Sequence, residues 1–198
     1  MPVIAGLDVA TRSGIAVFDG GKLIHASSHR PAGKESAEIL HGFRVWLRPL
    51  LLSHGVEAVA IEKPIPPSGF GRKKRVVVKD RGLWGGQDTE IVADESPTNF
   101  ETILRLHELF GHADEIAFSL NIDRYHVAVS TWRAAFGINQ RPGPDVKDVS
   151  RWRKQLAIAQ CQRLGWDITA PDAADAAGVA FWLAGALKIN QRQAEMAL

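Results

Sequence analysis

The sequence predicts a mixed α/β domain in which a three-stranded antiparallel meander continues into parallel strands, with helices flanking the sheet. Two observations lead to this fold class. The first 27 residues contain three short strand-like segments separated by tight-turn residues, and the rest of the chain alternates helical periodicity with two further strand-like runs. The resulting order, βββαβαβαα, is typical of a sheet covered by helices on both sides.

The predicted meander starts with residues 3–9, a near-continuous apolar run typical of a strand that is buried on both faces. Turn residues at positions 11–14 lead into a second strand at residues 15–19. Gly20 and Gly21 then predict a tight hairpin, which returns the chain into a third strand at residues 22–27.

Helical spacing of apolar residues predicts the first helix over residues 35–54, where Pro49 is expected to kink or shorten it and Gly55 to cap it. The next strand, residues 56–61, runs into Glu62. The following stretch is rich in Pro, Gly and charge, and we interpret it as a long basic loop at about residues 63–95. The whole chain, residues 1–198, is interpreted as a single domain that carries this loop.

The second half of the chain predicts three helices, one or two separate helical turns and one more strand. The helices are expected at residues 96–120, 149–164 and 173–187, the helical turns at residues 130–136, and the strand at residues 125–129. Gly137 and Gly165 follow two of these helices as C-terminal caps do, and Gly111 is expected to bend the first. This alternation of strand and helix adds the parallel part of the sheet.

Composition narrows the function classes. With 198 residues, 45% of them hydrophobic, the chain can bury a sizeable core. The 24 basic and 22 acidic residues give a net charge of +2, which excludes a histone-like polycation and an acidic disordered tail. One Cys excludes an intramolecular disulfide. No signal peptide and no apolar run of about 18 residues is visible, so a cytoplasmic protein is expected.

Asp8 and Glu62 are charged residues inside, or at the end of, runs that should form central strands. A carboxylate buried in such a place costs several kcal/mol unless a positive charge compensates it. A paired Lys or Arg is one solution, which would make the residue part of a structural ion pair. A divalent metal ion is the other solution, and either residue alone is compatible with both.

A second pair of carboxylates, Asp172 and Asp175, stands three residues apart and therefore on one face of the last predicted helix. A capping box is the ordinary interpretation, with Asp172 as the N-cap. The alanines around the pair leave little bulk, so this helix could approach the sheet closely and bring all four carboxylates to one point. Mg²⁺ or Mn²⁺ would neutralise such a cluster, and two ions about 4 Å apart activate water for phosphodiester hydrolysis.

These carboxylates lie in three segments: Ile4-Ala-Gly-Leu-Asp8-Val-Ala-Thr-Arg-Ser-Gly14-Ile-Ala-Val, Val59-Ala-Ile-Glu62-Lys-Pro and Asp172-Ala-Ala-Asp175-Ala-Ala. Their order, spacing and strand or helix setting resemble the RuvC-type Holliday-junction resolvases of the ribonuclease H-like nuclease superfamily. The resemblance extends from about residue 3 to residue 188. The first segment alone also resembles the actin-like sugar kinases, whereas the three together are specific to the resolvases.

The resemblance implies a ribonuclease H-like fold and a homodimeric endodeoxyribonuclease. Such an enzyme resolves Holliday junctions or other branched DNA in recombination and repair, by two incisions that leave 5′-phosphate ends. By position, Asp8, Glu62, Asp172 and Asp175 match the family's catalytic metal ligands. The resemblance also implies two Mg²⁺ ions in each active site, with Mn²⁺ as a substitute.

Two features depart from the family's pattern. Val9-Ala10 stands where the family usually has Pro-Gly, and residues 63–95 form a longer stretch than in the bacterial housekeeping enzymes. These departures suggest a divergent branch, and a phage origin is compatible with them. Two other functions stay open: a catalytically silent DNA-binding module on the same fold, and an actin-like phosphotransferase, which would need a second domain.

Basic residues concentrate in the predicted loop, where residues 63–82 contain seven bases and one acid. Four consecutive bases of this loop are expected to bind DNA phosphates: Arg72, Lys73, Lys74 and Arg75. A solvated basic loop is the alternative. Phe70 and Trp84 in the same loop are compatible with stacking on unpaired bases and equally with plain packing.

A second basic stretch precedes the acidic pair, and in it Lys147, Arg153 and Lys154 are expected to bind DNA. Lys154 stands at a distance before the acidic pair similar to that of a functionally important lysine of the resembled family. Basic side chains beside an acidic metal centre would hold phosphates that the carboxylates alone repel.

Overall fold

The computed structural model describes residues 2–64 and 100–196. The chain divides into two compact units, Met1–Pro64 with Arg105–Leu198, and Ile65–Leu104, and every side chain discussed below belongs to the first. The elements of the described ranges are β1 (Ile4–Asp8), β2 (Ser13–Asp19), β3 (Lys22–His29), α1 (Ser36–Ser53), β4 (Ala58–Glu62), α2 (Phe100–Ser119), β5 (Asp123–Val127), α3 (Val129–Phe136), α4 (Val149–Arg163) and α5 (Pro171–Met196).

The five strands form one sheet in the order β3-β2-β1-β4-β5. β1, β2 and β3 pair antiparallel, whereas β4 is parallel to β1 and β5 is parallel to β4. This is the predicted meander extended by parallel strands, so the predicted fold class is confirmed. β1 lies at the centre, where a strand is buried on both faces.

Side chains of the central strands alternate between two apolar layers. Ala5 and Leu7 of β1 face the layer that contains the buried residues of α1 and α2. Ile4 faces the opposite layer, which α3, α4 and α5 cover. Because side chains of a strand repeat every two residues, Asp8 points to the same side as Ile4 and Gly6. The strand period therefore directs Asp8 towards α5.

Several boundaries differ from the sequence prediction, because pairing between strands sets them more strictly than the apolar pattern does. β4 begins at Ala58, the partner of Ile4, since Val56 still bonds back to Leu51 at the end of α1. β5 begins at the charged residue Asp123, which pairs with Ala58. α5 continues to Met196, well beyond the predicted end at residue 187.

Neither Pro49 nor Gly111 ends the helix in which it lies. α1 continues through Pro49 to Ser53, and Gly55 follows it with φ +60°, a conformation that glycine tolerates. α2 runs through Gly111 without interruption. The predicted loop at residues 63–95 and the predicted start of α2 at residues 96–99 lie outside the described residues. The single-domain interpretation therefore stays a prediction. Of the helices described, none is long and apolar enough to cross a membrane.

α5 lies directly on β1 and β2, and two glycines make this approach possible. A side chain at Gly6 would meet the backbone of Ala176 and Ala180, and one at Gly14 would meet the backbone of Asp172. The facing side chains of α5 are small and fully buried, among them Ala173, Ala174, Ala176, Ala177 and Ala180. The first turn of α5 is therefore held against the ends of β1 and β2.

We expect Gly6→Ala to lower the free energy of unfolding by about 3 kcal/mol, because the new methyl group would collide with backbone atoms of α5 that cannot rotate away. Urea unfolding followed by circular dichroism measures the change. Gly111→Ala is the matched control, since its methyl group would enter open space and should stabilise the helix by about 0.5–1 kcal/mol. Unchanged stability of Gly6→Ala would contradict the close approach of α5.

Candidate active site

Two carboxylates lie side by side at one edge of the sheet. Asp8 is the last residue of β1 and Glu62 is the last residue of β4, and the preceding residues Leu7 and Ile61 are paired in parallel register. Parallel neighbours end at the same edge, so the two side chains are adjacent and partly buried. Their position explains how a charge can end a central strand.

The first turn of α5 supplies two more carboxylates to this edge. Asp172 and Asp175 are 5% and 8% exposed, and no other charged residue in the described ranges is buried to this degree. The helix begins at Pro171, and the amide of Ala174 donates to the carbonyl of Ala170, so Ala170 is the N-cap. The capping-box interpretation of Asp172 is therefore wrong, because Asp172 lies inside the first turn and its Oδ1 accepts from Lys154 of α4.

Electrostatic coupling shows that the four carboxylates lie close together. Burial raises the pKa of Asp8 well above its ordinary value, and the charges of Glu62, Asp175 and Asp172 raise it further. Burial also raises the pKa of Asp175 to about 7, with the charge of Arg133 opposing and that of Glu62 assisting. The cluster thus resists full ionisation when no cation neutralises it.

Two protein side chains donate hydrogen bonds to carboxylates of the cluster. The indole Nε1 of Trp132 donates to Oε2 of Glu62 at 2.6 Å, and Nζ of Lys154 donates to Oδ1 of Asp172 at 2.8 Å. The bond to Asp172 raises the pKa of Lys154, and nearby carboxylate charges act in the same direction. The pKa of Glu62 is still raised, because its burial outweighs the opposing effects of Trp132 and Arg133.

Trp132 and Arg133 also belong to the site, although the sequence alone did not mark either of them as a main candidate. β5 is parallel to β4, so α3, which follows β5, begins beside the end of β4 and carries Trp132 to Glu62. Trp132 is fully buried, and the guanidinium carbon of Arg133 lies 5.2 Å from its ring. The Nε atom of Arg133 is buried and has no hydrogen-bond partner among the described residues. The sequence predicts that β5 joins the parallel part of the sheet, but it does not show that β5 lies next to β4, and it is this neighbourhood that brings Trp132 to Glu62.

The donor set suits a hard divalent cation, although its present arrangement does not form a coordination shell. Among the described residues, no three His, Cys, Asp or Glu side chains are placed to hold a metal ion together. Glu62 and Asp172 instead direct an oxygen at Trp132 and Lys154. Among the described residues, two cationic side chains, Arg133 and Lys154, act on these four carboxylates. Oxygen donors with surplus negative charge are the ligands that Mg²⁺ and Mn²⁺ prefer.

The remaining predicted DNA-binding residues are not gathered at the carboxylates. Lys147 precedes α4 and Arg153 lies on it, and both side chains are exposed. The basic run of residues 72–75, together with Phe70 and Trp84, lies outside the described residues. Of the predicted bases, the structure thus brings Lys154 alone, in its described part, into contact with an acidic site residue.

Comparison of the fold with solved structures finds RuvC of Thermus thermophilus in complex with Holliday junction substrate, at a TM-score of 0.62 and 15% identity over 96% of each chain. A second Thermus thermophilus RuvC structure gives a TM-score of 0.59 and 16% identity, covering 95% of this chain and 96% of that one. This is the RuvC fold.

A third structure with the RuvC fold is the yeast mitochondrial Holliday junction resolvase Ydc2, with a TM-score of 0.52 and 13% identity over 98% of this chain and 84% of the other. No protein-family model matches the sequence, and no curated protein matches it either. The resemblance inferred from three sequence segments is therefore confirmed at the level of the fold. Sequence identities of 13–16% support a shared fold and nothing further.

The raised pKa of Asp175 predicts a pH-dependent stability in the absence of metal. The folded chain keeps a proton on Asp175 up to about pH 7, whereas the unfolded chain releases it near pH 4. The stability linked to this proton is fully present below about pH 4 and is lost as the pH rises through about 7. In EDTA we expect Asp175→Asn, which cannot ionise, to match wild type at pH 4 and to exceed its stability at pH 8.

Urea unfolding at the two pH values measures this difference. Asp167→Asn is the control, because Asp167 is exposed and should differ from wild type by the same amount at both pH values. A difference between Asp175→Asn and wild type that does not change with pH would contradict the burial of the Asp175 carboxyl group.

Trp132→Phe removes the donor to Glu62 while keeping an aromatic ring in the core. We expect the pKa of Glu62 to rise further, since one of the two opposing influences on it is lost. Carboxyl carbon NMR of Glu62, assigned with Glu62→Gln, measures the titration. Trp166→Phe is the control, because Trp166 packs on Phe136 in the same apolar layer. Identical titration of Glu62 in both variants would argue against the bond.

Proposed function

We propose that this chain is a metal-dependent, structure-selective DNA endonuclease that hydrolyses phosphodiesters in Holliday junctions or other branched DNA. The observation that carries the proposal is the cluster of Asp8, Glu62, Asp172 and Asp175 at one edge of the sheet, in which the two helix carboxylates are buried and the two strand carboxylates partly buried, with little positive charge beside them in the described part of the chain. A purely structural cluster of this kind would be a stability cost without a compensating gain. Such conflicts are expected at functional sites.

The four carboxylates would hold two Mg²⁺ ions, with Mn²⁺ as a substitute. Bound there, such ions activate a water molecule and stabilise the leaving oxygen of a phosphodiester. The fit rests on the donor set, since all four side chains offer oxygen ligands, and burial raises the pKa of Asp8, Glu62 and Asp175, whose ionised forms a bound cation would stabilise. Hydrolysis would leave a 5′-phosphate and a 3′-hydroxyl.

Protein side chains around the carboxylates have separate tasks in this proposal. Trp132 fixes one oxygen of Glu62, which leaves the other oxygen free to act as a ligand. Lys154 keeps 44% of its side chain exposed while it bonds Asp172, so it can also reach a DNA phosphate. Arg133 adds a second positive charge on the opposite side, beside Glu62 and Asp175. Both cations offset the repulsion that a phosphate meets at an acidic site.

Branched DNA is the proposed substrate because the fold is that of RuvC, of which one compared structure is a complex with Holliday junction substrate. The basic loop residues 72–75, with Lys147 and Arg153, would extend the contact with phosphates. Two incisions in one junction need two active sites, so we include a homodimer with two-fold symmetry in the proposal. Recombination and repair are the processes in which such junctions are resolved.

A catalytically silent DNA-binding module is the second candidate. It is favoured by one observation, namely that Trp132 and Lys154 each engage one carboxylate oxygen, of Glu62 and of Asp172, which leaves fewer oxygens for a metal ion. Binding of Mn²⁺ to the protein separates the two functions. An active nuclease must bind the ion at the four carboxylates, whereas a silent module binds DNA without it.

Asp8→Asn should abolish cleavage, by at least about a thousandfold, and should leave DNA binding intact, because the change removes one negative charge and almost no volume. Four-way junctions, flaps and linear duplexes, each with Mg²⁺ or Mn²⁺, form the substrate panel. We expect wild type to prefer the four-way junction and to give products that a DNA ligase can seal directly.

Asp167→Asn, an exposed aspartate outside the cluster, is the control and should cleave as wild type does. Full activity of Asp8→Asn would remove the basis of the proposed function. Binding of junctions by wild type without cleavage in either metal would instead support the silent module.

A further inference from the structure

A groove of about 370 Å³ lies between α4 and the start of α5. Its lining includes Asp148, Ser150, Arg151, Lys154, Gln155 and Pro171. Pro171 directly precedes Asp172, the residue that accepts the hydrogen bond of Lys154. One end of the groove therefore lies beside Asp172, and Lys154 both lines the groove and contacts this carboxylate.

The polar residues of the groove are mainly donors. Arg151, Lys154 and Gln155 are spaced three and four residues apart on α4, so they share one face of the helix. In the described part of the chain, the guanidinium of Arg151 has no ion-pair partner. A positively charged groove with an unpaired guanidinium suits an anion, and a guanidinium binds phosphate through two parallel hydrogen bonds.

Asp148 defines where an anion can lie. Its Oδ1 accepts from the amide of Arg151 at 2.9 Å, so the carboxylate caps α4 and takes up the positive end of the helix. An anion is repelled from that end and is favoured between Arg151 and Lys154. This stretch is the part of the groove nearest to the carboxylates.

We propose that the groove binds the DNA phosphate next to the one that is cleaved, with Arg151 as its main ligand and Ser150 and Gln155 as further donors. The inference rests on the proposed function, because the neighbouring phosphate belongs to the strand held at the carboxylates. A volume of about 370 Å³ is at the small end of ligand sites and suits about one nucleotide unit. Pro171 offers an apolar surface to the sugar.

α4 carries three exposed arginines, Arg151, Arg153 and Arg163, and the proposal assigns the phosphate contact to Arg151. Arg153 follows Arg151 by two residues, about 200° further around the helix, and it does not line the groove. Arg163 lies twelve residues after Arg151, about 18 Å along the helix axis, and does not line it either. These two residues allow variants with the same change of charge at different places on α4.

Binding of a four-way junction is measured as a function of salt concentration, in an Asp8→Asn background that cannot cleave. We expect Arg151→Gln to weaken binding about tenfold at low salt and to reduce the slope of log K against log salt by about 0.9, the value for one lost phosphate contact. Arg151→Glu should weaken binding further, and Arg151→Lys should restore the slope but only part of the affinity. Arg163→Gln should change neither quantity.

With Asp8 restored, Arg151→Gln should raise KM for the junction by about tenfold and change kcat by much less, because the contact is made in the bound substrate as well as in the transition state. Circular dichroism melting confirms that each variant folds. A structural role for Arg151 would lower the melting temperature and leave the salt slope unchanged.

The proposal is wrong if Arg151→Gln and Arg163→Gln share one salt slope. It is also wrong if Arg153→Gln alone lowers the slope, since the strand then crosses the other face of α4. Neither result affects the proposed function, which fails separately if wild type cleaves no branched DNA with Mg²⁺ or Mn²⁺.

Discussion

The close contact between α5 and the centre of the sheet is the constraint on which the rest of the structure depends. It requires residues without side chains at Gly6 and Gly14, and a helix surface of small residues above them. The contact fixes the start of α5 over the ends of β1 and β2. Two helix carboxylates, Asp172 and Asp175, are thereby brought to the two strand carboxylates.

This packing destabilises the ionised carboxylates of the cluster, because it buries them next to one another. Burial favours the protonated form of a carboxyl group, and every ionised neighbour favours it further. Two hydrogen bonds, from Trp132 to Glu62 and from Lys154 to Asp172, partly stabilise the ionised carboxylates. These contacts lessen the destabilisation without removing it, since the pKa values of Asp8 and Asp175 stay raised.

The sequence predicts the sheet well, and it singles out the four carboxylates as candidates, because both leave local signals. A charged residue that ends an apolar run is visible without any structure, and so is a pair of aspartates among alanines. Trp132 left no such signal, because its partner is 70 residues away and depends on β5 lying next to β4. The start of β5 was missed for a similar reason, since pairing with β4 and not apolarity places Asp123 in a strand.

Net charge describes this protein poorly, because opposite charges are separated over short distances. The total of +2 combines an acidic cluster with bases that lie beside it. Lys154 joins the two regions, as it both bonds Asp172 and lines the groove that contains Arg151. An anion that lies between Arg151 and Lys154 in this groove is next to positive charge before it reaches Asp172. The repulsion that an acidic centre exerts on a polyanion is therefore countered at the entrance to the site, where the two would first interact.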